Sequence, residues 1–501
     1  MERDNFFIKI SEADNVVIAL KSLKKGSKIY DKRMEIILLD DVEMGHKIAC
    51  TAIDKNSPVI KYGEPIGIAK DNIKQGSWVH THNLKTGLSG IKSYTYNKQP
   101  QKSIEIPQKF RGASFDGYKR KDGNVGVRNE IWIVPTVGCI NTVAKILKER
   151  ASAEIKANID GIFAFAHTMG CSQIGDDMLM TQKFLAGLIK NPNAGGVLVL
   201  GLGCENNNIG AFEPFLGKYD KDRIKFLNIQ SVDDEIAAGI KILRSLADYA
   251  SCFKRENVGL ENLVLGFKCG GSDAFSGIFA NPLCGKINDI ATALGAKTIL
   301  TETPEMFGAE QLLMNRAADE KVFNEIVELI NDFKKYFMKY GQTIYENPSP
   351  GNKDGGITTL EEKSLGCIQK GGTAEVCGVL NFKEGEIKSG LNLLSGPGND
   401  MVSCSNLAAN GAQILLFTTG RGTPFGSAVP TIKISSNSKL FEKKKHWIDF
   451  NAGVLNEGVS FQDASSDLFS YVLEIASGRV KTKNEINGYR EIAIFKDGVI
   501  L

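Results

Sequence analysis

Two histidines two residues apart, in Val79-His80-Thr81-His82-Asn83, are the most direct chemical signal in the chain. On an extended strand residues i and i+2 share a face, so the pair offers two imidazoles to one metal ion or one substrate. His80 and His82 are therefore expected to be metal ligands and proton-transfer groups. Of the five histidines, His167 closes an apolar run and is a further catalytic candidate, while His46 and His446 read as structural. A second group stands where apolar runs end: Cys139, Cys171, Cys204, Glu205, Asn206, Cys269, Asp273 and Glu302. Open α/β sheets bind ligands at the carboxyl ends of their strands, so Glu205, Cys139, Cys171 and Cys204 join the two histidines as expected metal ligands. Any one of these thiols taken alone reads more readily as an ordinary small core residue. Their recurrence in one grammatical position argues against that for the group. The loops NPSPGNKDGG, LSGPGND and TGRGTPFG add exposed amides and an arginine, which suit a polyhydroxylated anion. Asn206, Asn352, Lys353, Asn399, Asp400 and Arg421 are the expected substrate-binding residues.

These side chains need a scaffold, and the chain changes grammar along its length. Residues 1–91 repeat an apolar residue, two polar residues and a turn residue: Leu23-Lys24-Lys25-Gly26, Val42-Glu43-Met44-Gly45, Ile53-Asp54-Lys55-Asn56 and Ile73-Lys74-Gln75-Gly76. Glycine and asparagine tolerate left-handed backbone, so each copy predicts a turn between short strands and the whole a small all-β module. Residues 92–116 lose periodicity and read as a linker or wrapping arm. From Ile131 onward, apolar runs such as IWIVP, GIFAFA and GGVLVLG alternate with helix-length segments, the pattern of buried parallel strands and crossover helices. Cys139, Cys171 and Cys204 are 32 and 33 residues apart, about one βαβ unit of ~30 residues each. The expected body is α/β with mainly parallel sheet lobes, a central catalytic domain over 117–375 and a C-terminal lobe over 376–501. The Gly/Pro/Asn-rich stretch 341–375 marks the boundary between them.

Composition bounds the function. With 501 residues, 61 basic against 58 acidic side chains and a net charge of +3, no charged block steers the chain toward nucleic acid or a membrane surface. No run approaches the ~20 apolar residues of a membrane span, and MERDNFFIKISEADN carries no signal-peptide core. Ten cysteines in so long a chain are too dilute for a disulfide scaffold and fit reduced thiols. A cytoplasmic enzyme is expected, with the oligomeric state open, a homo-oligomer included. No Walker A, HExxH, paired CxxC or strand-borne GxGxxG sequence is present, which disfavours nucleotide and NAD chemistry.

Nearly the whole chain carries segments that resemble the altronate/galactarate dehydratase family: KYGEPIGIA, VHTHN, GYKRKDGNVGVRNEIWIVPTVGCIN, HTMGCSQIGDD, GLGCENN, CGGSDAFSGIFANP, TETPEMFGAEQLL, YENPSPGNKDGGITTLEEKSLGC and FTTGRGTPFGSAVPTIKISSNS. The resemblance implies a SAF-type β-clip module at the N-terminus and a divalent metal, Fe2+ or Mn2+. It also implies loss of water from an aldonic acid, D-altronate going to 2-dehydro-3-deoxy-D-gluconate. Such a reaction removes the proton at C2 and expels the C3 hydroxyl, with an enediolate to be stabilised between. Galactarate or a related sugar acid is the alternative substrate, and an iron-sulfur hydro-lyase the alternative enzyme, since three thiolates can hold a cluster. A sugar-acid sensor without catalysis is the alternative outside enzymes.

Overall fold

A computed structural model describes residues 2–3, 6–31, 34–101, 103–381 and 386–498. The N-terminal module is built from short antiparallel strands. Glu2–Arg3, Phe7–Lys9, Val16–Ala19, Lys47–Ala49 and Trp78–Val79 lie in that order in one sheet, and Leu84–Lys85, Glu64–Ala69 and Pro58–Lys61 form another. The four turn repeats pair two by two, through isolated bridges between Leu23 and Val42 and between Ile53 and Ile73. Their last residues all have positive φ: Gly26 83°, Gly45 88°, Asn56 66° and Gly76 82°. The repeat is thus a left-handed turn used four times, as its residue types require.

The premise behind the two histidines changes. The last strand of the first sheet stops at Val79, and His80 opens a turn closed by its own carbonyl, which accepts from the backbone N–H groups of Asn83 (3.0 Å) and Leu84 (2.9 Å). Asn83 Oδ1 accepts from the His80 N–H (2.9 Å). An asparagine side chain that captures nearby backbone ends the strand, so His80 and His82 do not share a pleated face.

The body holds two parallel sheets. In the first, β1 (Glu130–Pro135), β2 (Gly161–Ala164), β3 (Ala194–Gly201) and β4 (Ile224–Asn228) are ordered β2-β1-β3-β4. In the second, β5 (Val264–Cys269), β6 (Lys297–Leu300), β7 (Val376–Leu380), β8 (Gly390–Leu394), β9 (Ile414–Thr419), β10 (Thr431–Ser435) and β11 (Phe450–Asn451) are ordered β7-β8-β6-β5-β9-β10-β11. Every residue of β3 and β9 is buried, which explains their unbroken apolar character: helices cover both faces.

The division expected at 375/376 falls inside the second sheet, because β8 pairs in parallel with β6 and β9 with β5, both from before it, while β7 pairs with β8. The stretch 341–375 is an insertion between β6 and β7 that contains the helices Pro350–Asp354 and Leu360–Cys367. Composition alone made it look like a boundary. The two sheets divide instead between Asn228 and Val264. Residues 92–116 behave as a wrapping arm: the Tyr94 hydroxyl donates to Glu310 (2.6 Å) and the Tyr96 hydroxyl to the Ala317 carbonyl (2.9 Å). The arm's end joins the body as a strand, Ser114–Lys119, antiparallel to Arg255–Gly259.

Candidate active site

The carboxyl edge of the second sheet carries a dense, buried polar group. β5 ends in Lys268 and Cys269, and the turn after β6 supplies Glu302 and Glu305. The helix Leu360–Cys367 and the turn after it present Lys363, Cys367 and Lys370 on one face, as i, i+4 and i+7 spacing dictates. Lys268 Nζ lies 2.5 Å from Glu302 Oε1, Lys370 Nζ 2.7 Å from Glu302 Oε2, and Lys363 Nζ 2.9 Å from Glu305 Oε1. Lys370 also donates to Cys269 Sγ (2.9 Å), the two sulfurs of Cys269 and Cys367 are 3.2 Å apart, and the Cys367 thiol donates to Glu305 (3.0 Å). All seven side chains are buried.

Such a cluster stands only because its charges are mutually paired. Burial first, then the neighbouring Cys269, push the Glu302 carboxyl up. Against burial, the ammoniums of Lys363, Lys268 and Lys370 hold Glu305 far down. A hydrogen bond from Cys367 and, against burial, the charge of Lys370 draw the Cys269 thiol down toward its thiolate. Two neighbouring carboxyls pushed in opposite directions are the arrangement that lets one site both hold and release a proton. Glu302 also has φ 75°, a left-handed backbone uncommon for a residue with a side chain.

Beside this cluster, where the β module meets the same sheet edge, a cavity of about 440 Å³ is lined by Glu43, Gly45, Asp273, Arg421, Lys439 and Lys443, among others. Asp273 accepts from Ser436 (2.7 Å) and Asn437 (3.1 Å). A polar path links cavity and cluster: next to Asp273, the Ser272 carbonyl accepts from Asn352 Nδ2 (2.8 Å), and Asn352 Oδ1 accepts from Lys363 Nζ (3.2 Å). The size suits a small polyhydroxy acid and the three cations suit its carboxylate.

The residues singled out from sequence divide between two edges. Asn352 lies on the path just described, and Asp400 Oδ1 is 3.1 Å from Lys268 Nζ. Arg421 is exposed and lines the cavity. Asn399 instead caps the helix Asp400–Ala409 by accepting from the Val402 N–H (3.1 Å), and Lys353 is half-buried in the short helix Pro350–Asp354. His80 is buried on the body side of the β module, Nδ1 2.8 Å from Thr358 Oγ1, its ring stacked on Trp78 at 5.4 Å and edge-on to His46 at 5.1 Å. Burial, then the Lys47 charge, push its pKa down to about 4, so it is neutral at neutral pH. His82 is exposed, with its ring 5.0 Å from Trp78.

The remaining candidates sit on the first sheet, and two of them have structural duties. His167 Nε2 donates to the Pro135 carbonyl (2.7 Å) and Nδ1 accepts from the Met169 N–H (3.2 Å), so both ring nitrogens are spent on backbone and no proton is left to transfer. Glu205 accepts from the Thr136 hydroxyl (2.6 Å) and the N–H groups of Leu202 (3.0 Å) and Gly203 (2.5 Å). Against burial, those bonds keep it ionised. It tightens its own loop rather than joining His80 and His82 at a metal. Asn206 is exposed and accepts from the Ser172 N–H (2.8 Å). Cys139, Cys171 and Cys204 are exposed free thiols. Among the described residues, one group brings three ligand atoms within 4.8 Å of one another: Cys269, Glu305 and Cys367. None of the six expected ligands belongs to it.

Three family models match the chain in succession: the altronate/galactarate dehydratase SAF domain over 5–87, the D-galactarate dehydratase/altronate hydrolase second domain over 117–251, and the D-galactarate/altronate dehydratase C-terminal domain over 260–500. The altronate dehydratase of Bacillus subtilis (strain 168) is 50% identical over 498 residues, 99% of each chain. The chain belongs to the altronate/galactarate dehydratase family. The altronate dehydratase of Escherichia coli (strain K12) is 49% identical over 99% of this chain and all of its own, and the galactarate dehydratase (L-threo-forming) of the same strain 32% over 98% and 96%. In this dehydratase the family's second boundary, between 251 and 260, coincides with the division between the two sheets. Reasoning from sequence named Cys269, Asp273 and Glu302 as strand-end residues but passed over Lys268, Glu305, Lys363, Cys367 and Lys370. The signal was present in Lys363, Cys367 and Lys370 on one helical face, opposite Glu302-x-x-Glu305 at the end of an apolar run.

Proposed function

We propose that the protein dehydrates an aldonic acid, D-altronate, to 2-dehydro-3-deoxy-D-gluconate at the carboxyl edge of the seven-stranded sheet. The observation that carries this reading is the cavity lined by Arg421, Lys439 and Lys443 together with Glu43, Asp273 and Asp354, beside a buried set of paired glutamates and lysines. Arg421, with Lys439 and Lys443, binds the substrate carboxylate; Asp273 accepts hydrogen bonds from its hydroxyls. His80, neutral and oriented by Thr358, takes the proton from C2. Glu302, held between Lys268 and Lys370, gives the proton that lets the C3 hydroxyl leave as water. The cluster's closed surroundings exclude bulk water, which strengthens each of these charges on a developing enediolate.

The divalent ion expected from the family finds a fitting donor set in Cys269, Glu305 and Cys367. Of these donors, Cys269 is drawn toward its thiolate and Glu305 is held ionised by the neighbouring ammoniums, so two of the three already carry the negative charge a cation needs. Thiolate donors favour Fe2+ over Mn2+. Bound there, the ion would supply Lewis acidity toward the carboxylate and C2 hydroxyl.

The test is anaerobic turnover of D-altronate, galactarate and their epimers with Fe2+ or Mn2+, read as keto-acid formation. Preference for altronate is expected. No turnover of any sugar acid under either metal would sink the proposal.

A further inference from the structure

We propose that Cys139, Cys171 and Cys204 bind an iron-sulfur cluster of the [4Fe–4S] type at the carboxyl edge of the four-stranded sheet, a site separate from the sugar-acid cavity. The three thiols follow β1, β2 and β3, which are neighbours in the sheet, so three adjacent parallel strands each deliver one cysteine to the same edge. Each cysteine is preceded by glycine, and each glycine lies where another loop comes too close for a side chain. A Cβ on Gly138 would sit 2.7 Å from the His167 carbonyl oxygen and one on Gly203 2.6 Å from Gln230 Oε1, while one on Gly170 would overlap the Thr136 carbonyl.

The loops are also tied to one another right beside the thiols. The Gly138 N–H donates to the Met169 carbonyl (2.9 Å), Asn207 N–H to the Gly170 carbonyl (3.0 Å), and Ser172 N–H to Asn206 Oδ1 (2.8 Å). His167, bonded to backbone, and Glu205, bonded to backbone and to the Thr136 hydroxyl, fix two of the three loops. This framework holds the three sulfurs in place while leaving them exposed and free of disulfides, with Gln230 Nε2 donating to Cys204 Sγ (3.5 Å). Free cysteine is among the residues most often buried, so three exposed thiols on three convergent loops need a reason.

Donor chemistry selects the ligand. The three sulfurs do not fall within the 4.8 Å that brings Cys269, Glu305 and Cys367 together. In a [4Fe–4S] cubane each thiolate binds its own iron rather than sharing one ion, and an all-sulfur donor set is what such clusters take. Three thiolates satisfy three irons. With Glu205 occupied, the fourth iron faces solvent. On transfer each cysteine sulfur replaces one thiolate of the donor cluster, the Fe–S bond to that thiolate breaks, the displaced thiolate leaves with the cysteine's proton as free thiol, and the irons keep their oxidation states.

The experiment uses the full chain, incubated anaerobically with a preformed thiolate-ligated [4Fe–4S] cluster and then desalted. Roughly four irons and four acid-labile sulfides per chain are expected, with a brown chromophore. Iodoacetamide labelling read by peptide mass should show Cys139, Cys171 and Cys204 protected in the loaded protein, and Cys252, exposed elsewhere, still labelled. C139S, C171S and C204S should each abolish cluster retention, and C252S should not. Absence of sulfide, iron without sulfide, or unchanged labelling of the three cysteines in wild type would overturn the proposal whether or not the variants fold. None of these outcomes bears on turnover at the other sheet, where Cys269 and Cys367 lie.

Discussion

Replacing Glu362 with glutamine should loosen the β module from the body. Glu362, on the helix Leu360–Cys367, reaches Lys47 (2.8 Å) and Lys61 (2.8 Å) of the module, and all three side chains are no more than 2% exposed. The two ammoniums hold the carboxyl down at about 2, against burial, compared with ~4.3 for an unfolded glutamate. That gap of roughly two units corresponds to about 3 kcal/mol, near the ~3–5 kcal/mol cost of breaking a buried ion pair. Because the folded pKa is depressed, this stability is present above the unfolded value near 4 and is lost as the pH falls toward 2. Lys47 points the other way: burial, opposed by Glu362 but aided by repulsion from Lys61, pushes it down to about 8, whereas Lys61 is raised. One carboxylate is shared by two ammoniums, so Lys47 carries the strain and the net worth of the triad follows Glu362 and Lys61. Urea unfolding at pH 7, followed by tryptophan fluorescence with Trp78 in the module, should show E362Q losing about 3 kcal/mol in the transition that reports the module, and K47M losing less than K61M. The wild-type advantage over E362Q should narrow between pH 4 and pH 2. An unchanged midpoint in E362Q, or K47M as costly as E362Q, would refute the charge argument.

R421A should raise KM for the sugar acid by roughly 10-fold or more with a smaller change in kcat, the loss of a charge-assisted hydrogen bond of ~1.5–3 kcal/mol; an unchanged KM would remove Arg421 from carboxylate binding. E302Q should cut kcat by roughly 10²–10⁴, the usual worth of a positioned proton donor, while far-ultraviolet circular dichroism stays native. Chelation followed by desalting should abolish turnover, and added Fe2+ should restore it in wild type but not in C269S or C367S. H167Q should lower thermal stability more than it lowers kcat once folded, because both imidazole nitrogens hold backbone; a folded variant without activity would return His167 to the chemistry.

Local chemistry was enough to read several features from the residues alone. Gly26, Gly45, Asn56 and Gly76 sit at left-handed turns because those residue types are the ones that tolerate positive φ. The unbroken apolar runs of β3 and β9 require cover on both faces, hence a parallel α/β body. The Gly-Cys pairs about 30 residues apart mark one βαβ unit after another, and long similar segments carry the family. The three-dimensional structure decided the rest, through contacts that residue type alone does not specify. Asn83 captures the backbone of His80 and ends the strand, so a spacing of two no longer means one face. Glu205 and His167 look like ligands by type, yet Glu205 accepts from the Leu202 and Gly203 N–H groups and the Thr136 hydroxyl, and the His167 ring is held between the Met169 N–H and the Pro135 carbonyl. Lys268, Glu302, Glu305, Lys363, Cys367 and Lys370 come from three segments up to about a hundred residues apart, and only the pairing of β6 with β8 across the 341–375 insertion closes them into one buried set. Charges that look solvent-bound in a sequence become a site when the fold removes the water around them.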